Sequence, residues 1–468
     1  MKCKLSLLLH AGMFFLFVLP SSLLADQPNF VFIIADDATY NDMECYGGQA
    51  KTPNMNKLCQ QGMKFTHCFQ QAPMCSPTRH AIYTAIYPVK SGAHPNHTFV
   101  KKGTKSVANY LRALGYRVAL SGKTHIQPRE SFPFEYLNEG KGFRKKGQRN
   151  NPNFKAIKQF LRQCKNKKTP FCLFACSNEP HSPWNKGDPS KYPPEKLKLP
   201  PYFVDTPVTR ENFSRYLAEI TYYDWQVGEC VKLLDELGLS ENTLVMVVSE
   251  QGNSFPFAKW TCYDMGLASG MIVRWPGRVR PGSTTDAMVE YVDIVPTFLE
   301  AAGGKQPTEV DGRSFLPVLL GKAKEHKKHV YGLQTSRGII NGPKGYGIRT
   351  VRSQKYRYII NLDPKAKFKN AVFRSQFWKS WVEKAEAGDK HAKAMVNRYE
   401  MRPAEELYDV TSNRNNMKNV ANDPQLAEVK RDLRQRLQAW MELQGDRGQA
   451  TELLAHTRQW RNRKKKQK

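Results

Sequence analysis

Four short apolar runs along the chain each end on charged or metal-capable residues. NFVFIIA (29–35) runs into Asp36 and Asp37, and YRVALS (116–121) leads into Gly122-Lys123-Thr124-His125. PFCLFACS (170–177) leads to Asn178-Glu179-Pro180-His181, and NTLVMVVS (242–249) leads into Glu250-Gln251-Gly252. None alternates cleanly between apolar and polar positions, and β-branched or aromatic residues dominate. That is the pattern of strands covered on both faces of a parallel sheet. Between the runs the period lengthens. SVANYLRALG (106–115) opens on serine and closes on glycine, and residues 211–238 are long and amphipathic, so both predict helices. Strands alternating with helices predict an open α/β sheet, whose ligands collect at the carboxyl ends of the strands. The four polar clusters therefore converge on one edge.

Beyond about residue 330 the texture changes. Residues 346–363, YGIRTVRSQKYRYIINLD, predict a hairpin with basic residues interleaved among apolar ones. A charged helical stretch (376–399) and a last helix (425–442), opened by Asp423-Pro424, follow. The expected division is a signal peptide over 1–25, a catalytic α/β domain over 26–335, a smaller α+β domain with an antiparallel sheet over 336–455, and a basic tail over 456–468. The boundary between the two domains is placed between 320 and 345.

Lys2 and Lys4, an apolar stretch and a Ser-Ser-Leu-Leu-Ala sequence ending at Ala25 read as an export signal. No later run reaches the ~18 apolar residues a membrane span needs. The net charge of +30 would suggest nucleic acid in a cytosolic protein. An exported chain with such a field attracts sulfated or carboxylated polysaccharides instead. The last eleven residues hold seven basic side chains and no acidic one, and are read as a solvated tail. Nine cysteines follow the signal, an odd number that leaves at least one unpaired, at spacings that match no zinc pattern.

The carboxylates of Asp36, Asp37 and Glu250 with the amide of Gln251 suit a hard divalent cation such as calcium or magnesium. Lys123, His125 and His181 offer positive charge and proton transfer at equivalent strand ends. Into this company falls Cys75, in APMCSPTRHAIYTAIYP (72–88), a thiol just ahead of a proline, an arginine and an apolar helical run.

Cys75-Ser76-Pro77-Thr78-Arg79 matches the C-x-P-x-R signature of the sulfatases. The Asp-Asp pair, Gly-Lys-x-His, Pro180-His181, YVDIVPTFLEAAG (291–303) and DGRSFLPVL (311–319) occur in sulfatase order, so the chain resembles that family over its whole mature length. GKTHIQPRESFPFEY (122–136), PPYFVDTPVTR (200–210), IRTVRSQKYRYIINLD (348–363) and ELYDVTSNRNNMKNVANDP (406–424) look most like its N-sulfoglucosamine sulfohydrolase branch. The resemblance implies an alkaline-phosphatase-like fold and a cysteine oxidised to formylglycine by a separate maturation enzyme. Carried over by position, hydrated formylglycine at Cys75 would attack sulfur. Asp36, Asp37, Glu250 and Gln251 would hold one calcium ion, with position 75 also on the metal. Arg79 would steady the nucleophile, Lys123 and Lys259 would bind sulfate oxygens, and His181 would protonate the leaving group. His125 would assist sulfate release, when a hydroxyl is deprotonated and the aldehyde re-forms. The implied substrate is a sulfated saccharide, first the N-sulfate of glucosamine in heparan-type chains; an O-sulfate of another polysaccharide is the alternative. A two-zinc phosphatase and a catalytically silent glycan-binding homologue are the competing readings. Three departures from the family pattern stand out: Glu250-Gln251 for Asp-Asn or Asp-His, Thr84-Ala85 for Thr-Gly, and Lys259 where the sulfamidases carry arginine.

Overall fold

The computed structural model describes residues 27–138 and 150–460; the expected signal peptide and the basic run from 461 onward lie outside them. Among the described residues, nine strands build one large sheet. They are β1 (Asn29–Ile34), β2 (Met63–Phe69), β3 (Arg117–Gly122), β4 (Glu135–Tyr136), β5 (Phe171–Cys176), β6 (Thr243–Val248), β7 (Ala268–Arg274), β8 (Ser283–Thr285) and β9 (Val289–Glu290). The order is β4-β3-β5-β1-β6-β7-β2-β8, with β9 also on β2. Every pairing is parallel except those of β7, which runs against both β6 and β2. The four apolar runs are thus β1, β3, β5 and β6, side by side.

Their lack of alternation has the expected cause. In β1, Phe30, Phe32 and Ile34 enter one apolar layer and Val31 and Ile33 the other. The long helix Pro207–Glu236 covers the second layer, and helices Cys75–Thr84, Val107–Ala113 and Ile294–Ala301 cover the first. The helix predicted from residue 211 starts earlier because Thr206 caps it, its hydroxyl accepting from Thr209 N at 3.0 Å, with Pro207 in the first turn. Ser106 and Asn109 close a capping box on Val107–Ala113.

A second, four-stranded antiparallel sheet runs β10 (Val330–Thr335), β11 (Gly347–Arg352), β12 (Tyr356–Asn361), β13 (Glu405–Asp409). The predicted hairpin is β11–β12. Because β10 pairs with β11, the second sheet opens at Val330, on the catalytic side of the expected division at 335. One face of this sheet packs on the helix Ala427–Gln444 through Leu433, Leu437 and Trp440. The other face, with Ile348 and Ile359, joins the same apolar layer as the long helix. The stretch 376–399 is two helices, Gln376–Glu386 and Lys390–Glu400. Gly388 takes a left-handed φ of 96°, and Asp389 caps the second helix through Ala392 N at 2.7 Å. All nine described cysteines are thiols, and no described helix is long and apolar enough to cross a membrane.

Candidate active site

The carboxyl ends of β3, β5, β1 and β6 bring the predicted residues to one place. Past β1, the Ala35 amide donates to Val248 O at 3.1 Å and that of Asp36 to Glu179 O at 3.0 Å. These bonds pin the aspartate pair between the loops that follow β6 and β5. Gly122, at φ 102°, lets the next loop pass; a Cβ there would lie 1.9 Å from Cys176 O, so only glycine fits ahead of Lys123. Cys75 is the first residue of its helix, buried at 3% exposure. Arg79 follows one turn later on the same helix. At the helix end Ala85 takes φ 57°, a left-handed conformation in which glycine would be unstrained. Its carbonyl accepts from Asp311 N at 2.8 Å, which helps hold it there.

The side chains form one connected set. Arg79 Nε lies 2.8 Å from Glu250 Oε1 and its Nη1 donates to Lys123 O at 3.2 Å. Lys123 Nζ donates to Asp36 Oδ2. Lys259 Nζ and Ser254 Oγ both donate to Asp37 Oδ2, at 2.6 and 2.8 Å. Gln251 Nε2 donates to Asp37 Oδ1 at 2.8 Å and to Cys75 Sγ at 3.0 Å. His181 Nδ1 donates to the Ser182 carbonyl at 2.7 Å, which leaves Nε2 toward Asp37 Oδ2 at 3.6 Å. His125 Nε2 meets His97 Nδ1 at 3.0 Å.

Electrostatics follow from burial among these charges. Burial and then Asp36 push the Cys75 thiol up to about 12, so it stays protonated. Burial also lowers both His125 and His181, though Asp37 pulls His181 back. Lys123 and Lys259 are raised despite burial, by Asp36 and Asp37 respectively. Glu250 is pushed well above the carboxylate range, by burial first; Asp36, just as buried, goes the other way because Lys123, His181 and Arg79 among its partners together outweigh burial.

Oxygen and sulfur atoms of Asp36, Asp37, Cys75 and Glu250 lie within 4.8 Å of one another. Asp36 Oδ1, Glu250 Oε2 and Gln251 Oε1 are sealed from solvent with no hydrogen-bond donor among the described residues. Buried oxygens of native proteins are seldom left so. Carboxylate and amide oxygens are the donor set of a hard cation, so these residues fit a divalent metal ion.

A cavity of about 950 Å³ opens over this cluster. Its floor holds Cys75, Lys123, His125, His181 and Lys259, and its outer wall includes Trp184, Arg215, Trp260, Arg374 and Phe377. Sequence reasoning missed His97 and Asn96, which also line it. Their one signal was the sequon Asn96-His97-Thr98, yet Asn96 and Thr98 are 5% and 1% exposed, which closes that asparagine to a glycan in the folded chain.

The sulfatase family model matches residues 28–304. At 33% identity over 435 residues, an ulvan-active sulfatase of Formosa agariphila matches 91% of this chain and 82% of its own length. The chain belongs to the sulfatase family. It is a sulfuric ester hydrolase. A second family model, N-sulphoglucosamine sulphohydrolase, C-terminal, matches residues 252–369. Human N-sulphoglucosamine sulphohydrolase is 24% identical over 456 residues, covering 88% of this sulfatase and 89% of the human chain. Among solved structures, one in complex with its substrate D-glucosamine-2-N,6-O-disulfate superposes with a TM-score of 0.67 at 18% identity. The match covers 90% of this chain and 99% of that one, and it shows the shared fold.

Proposed function

We propose that this sulfatase is exported and removes sulfate from a sulfated polysaccharide, using formylglycine made from Cys75 by a maturation enzyme and one calcium ion. The observation that carries the reading is the meeting of a buried cysteine and two lysines at the floor of one cavity, with three donorless oxygens sealed beside that cysteine. Asp36, Asp37, Glu250 and Gln251 would hold the calcium, which supplies Lewis-acid polarisation of a sulfate oxygen. The hydrated aldehyde supplies an oxygen nucleophile and a way to expel sulfate that a plain hydroxyl lacks.

The residues do the rest. Lys123 and Lys259 neutralise the sulfate as charge shifts onto its oxygens, in a site where water does not screen them. Arg79, tied to Glu250, holds the nucleophile in place. His181, with Nδ1 committed to Ser182 O, has only Nε2 to offer, and it gives a proton there to the leaving oxygen or nitrogen. Its charged form, disfavoured by burial, is restored by the anionic substrate. His125 takes up the proton lost as sulfate departs. The basic charge of the chain draws the polyanion in.

Two substrate classes have specific support. A sulfate ester of an ulvan-type polysaccharide is favoured by the 33% relative and by Lys259 standing where the sulfamidases carry arginine, which is not an equivalent oxyanion binder. The N-sulfate of glucosamine is favoured by the C-terminal model and the human relative. The test is sulfate release from ulvan oligosaccharides, N-sulfoglucosamine and 6-O-sulfated N-acetylglucosamine, by protein co-expressed with a maturation enzyme. A Cys75→Ala protein is the control. Release from ulvan alone establishes the ester reading, and release from N-sulfoglucosamine alone replaces it. Activity surviving in Cys75→Ala ends the mechanism.

A further inference from the structure

His97 belongs to no part of that mechanism, yet its ring touches a residue that does. The two imidazoles sit 4.9 Å apart between centroids, joined Nε2 to Nδ1 at 3.0 Å. Both residues adopt left-handed backbone, φ 57° at His97 and 52° at His125, a conformation that persists only where surroundings enforce it. The enforcement around His97 comes from far along the chain. Trp460 N donates to His97 O at 3.1 Å, Thr98 Oγ1 donates to Arg458 O at 2.8 Å, and Arg458 Nη2 donates to Phe99 O at 2.8 Å. On the other side Asn96 N donates to Arg337 O at 3.2 Å. The other nitrogen of His125, Nδ1, is sealed from solvent and has no partner among the described residues.

We propose that His97 is a positioning residue that accepts a hydrogen bond from His125 Nε2–H and so keeps the lone pair of His125 on Nδ1, ready to take a proton. The inference rests on the role assigned to His125 above. As sulfate leaves, His125 Nδ1 takes the remaining hydroxyl proton at position 75. The electron pair of that O–H bond closes the carbonyl, and the breaking C–O bond carries its pair away on sulfate. A neutral imidazole with its proton on Nδ1 cannot do this, and His97 Nδ1 as acceptor excludes that tautomer.

The test has two readouts. Side-chain NMR of isotope-labelled histidine in the unconverted Cys75 protein reports the tautomer without any turnover. It should show His125 protonated on Nε2 in the wild type and in His97→Gln, whose amide oxygen still accepts, and a mixture in His97→Leu. In converted enzyme, His97→Leu should lower kcat and KM together by about tenfold, a fraction of what a general base contributes, and leave kcat/KM unchanged because release follows sulfate transfer. His97→Gln should restore kcat. An unchanged tautomer in His97→Leu, or a loss in kcat/KM equal to that in kcat, overturns the proposal. A fully active His125→Ala enzyme strikes down the reading of the site together with this one. If His125→Ala loses kcat at constant kcat/KM while His97→Leu does nothing, only His97 is removed.

Discussion

Two pairs of buried acids sit at ends of strands in the large sheet, and their oxygens are treated in opposite ways. At the end of β9, Glu290 and Asp293 are fully buried. Glu290 accepts from Tyr331 N at 3.0 Å, Gln71 Nε2 at 3.3 Å, Tyr87 Oη at 2.7 Å and Lys327 Nζ at 2.6 Å. Asp293 accepts from Arg313 N at 3.0 Å and Glu290 N at 2.9 Å, and pairs with Lys327 at 2.7 Å and His326 at 3.1 Å. Each of these four oxygens has two donors. At the ends of β1 and β6, Asp36 and Glu250 are equally buried, and an oxygen of each has none. Acidity sets Glu250 apart: Lys327 and His326 help overcome burial and hold Asp293 at about 2, and Asp36 is lowered as well, whereas burial drives Glu250 upward. Burial of acids is common to both places. What marks the site is the unmet demand for positive charge at its centre.

The comparison breaks most sharply if the demand at Glu250 is removed. Glu250→Gln keeps size and takes away a charged ligand. In converted enzyme it should lower kcat/KM by about 10²- to 10³-fold, the scale of lost electrostatic stabilisation at an oxyanion. Calcium should stabilise the wild type by about 2.7 kcal/mol at a hundred times its Kd, and Glu250→Gln by almost nothing at the same concentration. The pair Glu250→Asp with Gln251→Asn, shorter by a methylene each, should keep the calcium effect. Thermal melts with and without calcium check both. A wild type indifferent to calcium would mean the donorless oxygens hold something else.

The satisfied pair predicts the reverse. Asp293→Asn takes away one of the two carboxylates on Lys327, which keeps Glu290, and weakens the bonds that Asp293 accepts, so unfolding in urea should show a loss of about 3 kcal/mol. Activity per folded molecule should not change, because none of these residues lines the cavity over Cys75. Replacing Lys327 by methionine as well should deepen the loss, since Glu290 then keeps a buried charge without its cation. Lost activity in protein that still melts like the wild type would make the second cluster part of the site.

From residues alone the two clusters look alike, and this marks how far the chain could be read. The four strands and their shared edge were legible because a strand covered on both faces drops its alternation, as β1 does. Cys75 and Arg79 were legible as a motif. The start of the helix at Cys75 itself was not, since it depends on Met74 being held extended. Lys259 became a candidate only through family resemblance; nothing near it in sequence hints that it meets Asp37. The break at Gly388 was in plain sight but overridden by the charged helical pattern on either side. His97 was hidden because its partner is on another loop and its support is at Arg458 and Trp460. Which oxygens lack donors is likewise a property of tertiary contacts, and no local pattern encodes it.

The smallest expected effect is on the acid limb of stability. Asp293 has a folded value of about 2 against an ordinary 3.8, so the native state binds its proton less readily than the unfolded chain does. The sign follows: its contribution is present above about pH 4, fades as pH falls, and is gone below about pH 2, where both states are protonated. A depression of this size corresponds to about 2 kcal/mol at full effect. Urea midpoints of the wild type should therefore drop between pH 4 and pH 2 more steeply than those of Asp293→Asn, which has no carboxylate to protonate there. Lys327 stays charged throughout this window, so the slope difference reports the aspartate. If the two proteins run parallel across the window, the Asp293 carboxyl is not held below the ordinary range at all, by ion pairs or by the hydrogen bonds from Arg313 and Glu290. The contrast between a satisfied and a demanding pair of acids would then have no counterpart in acidity.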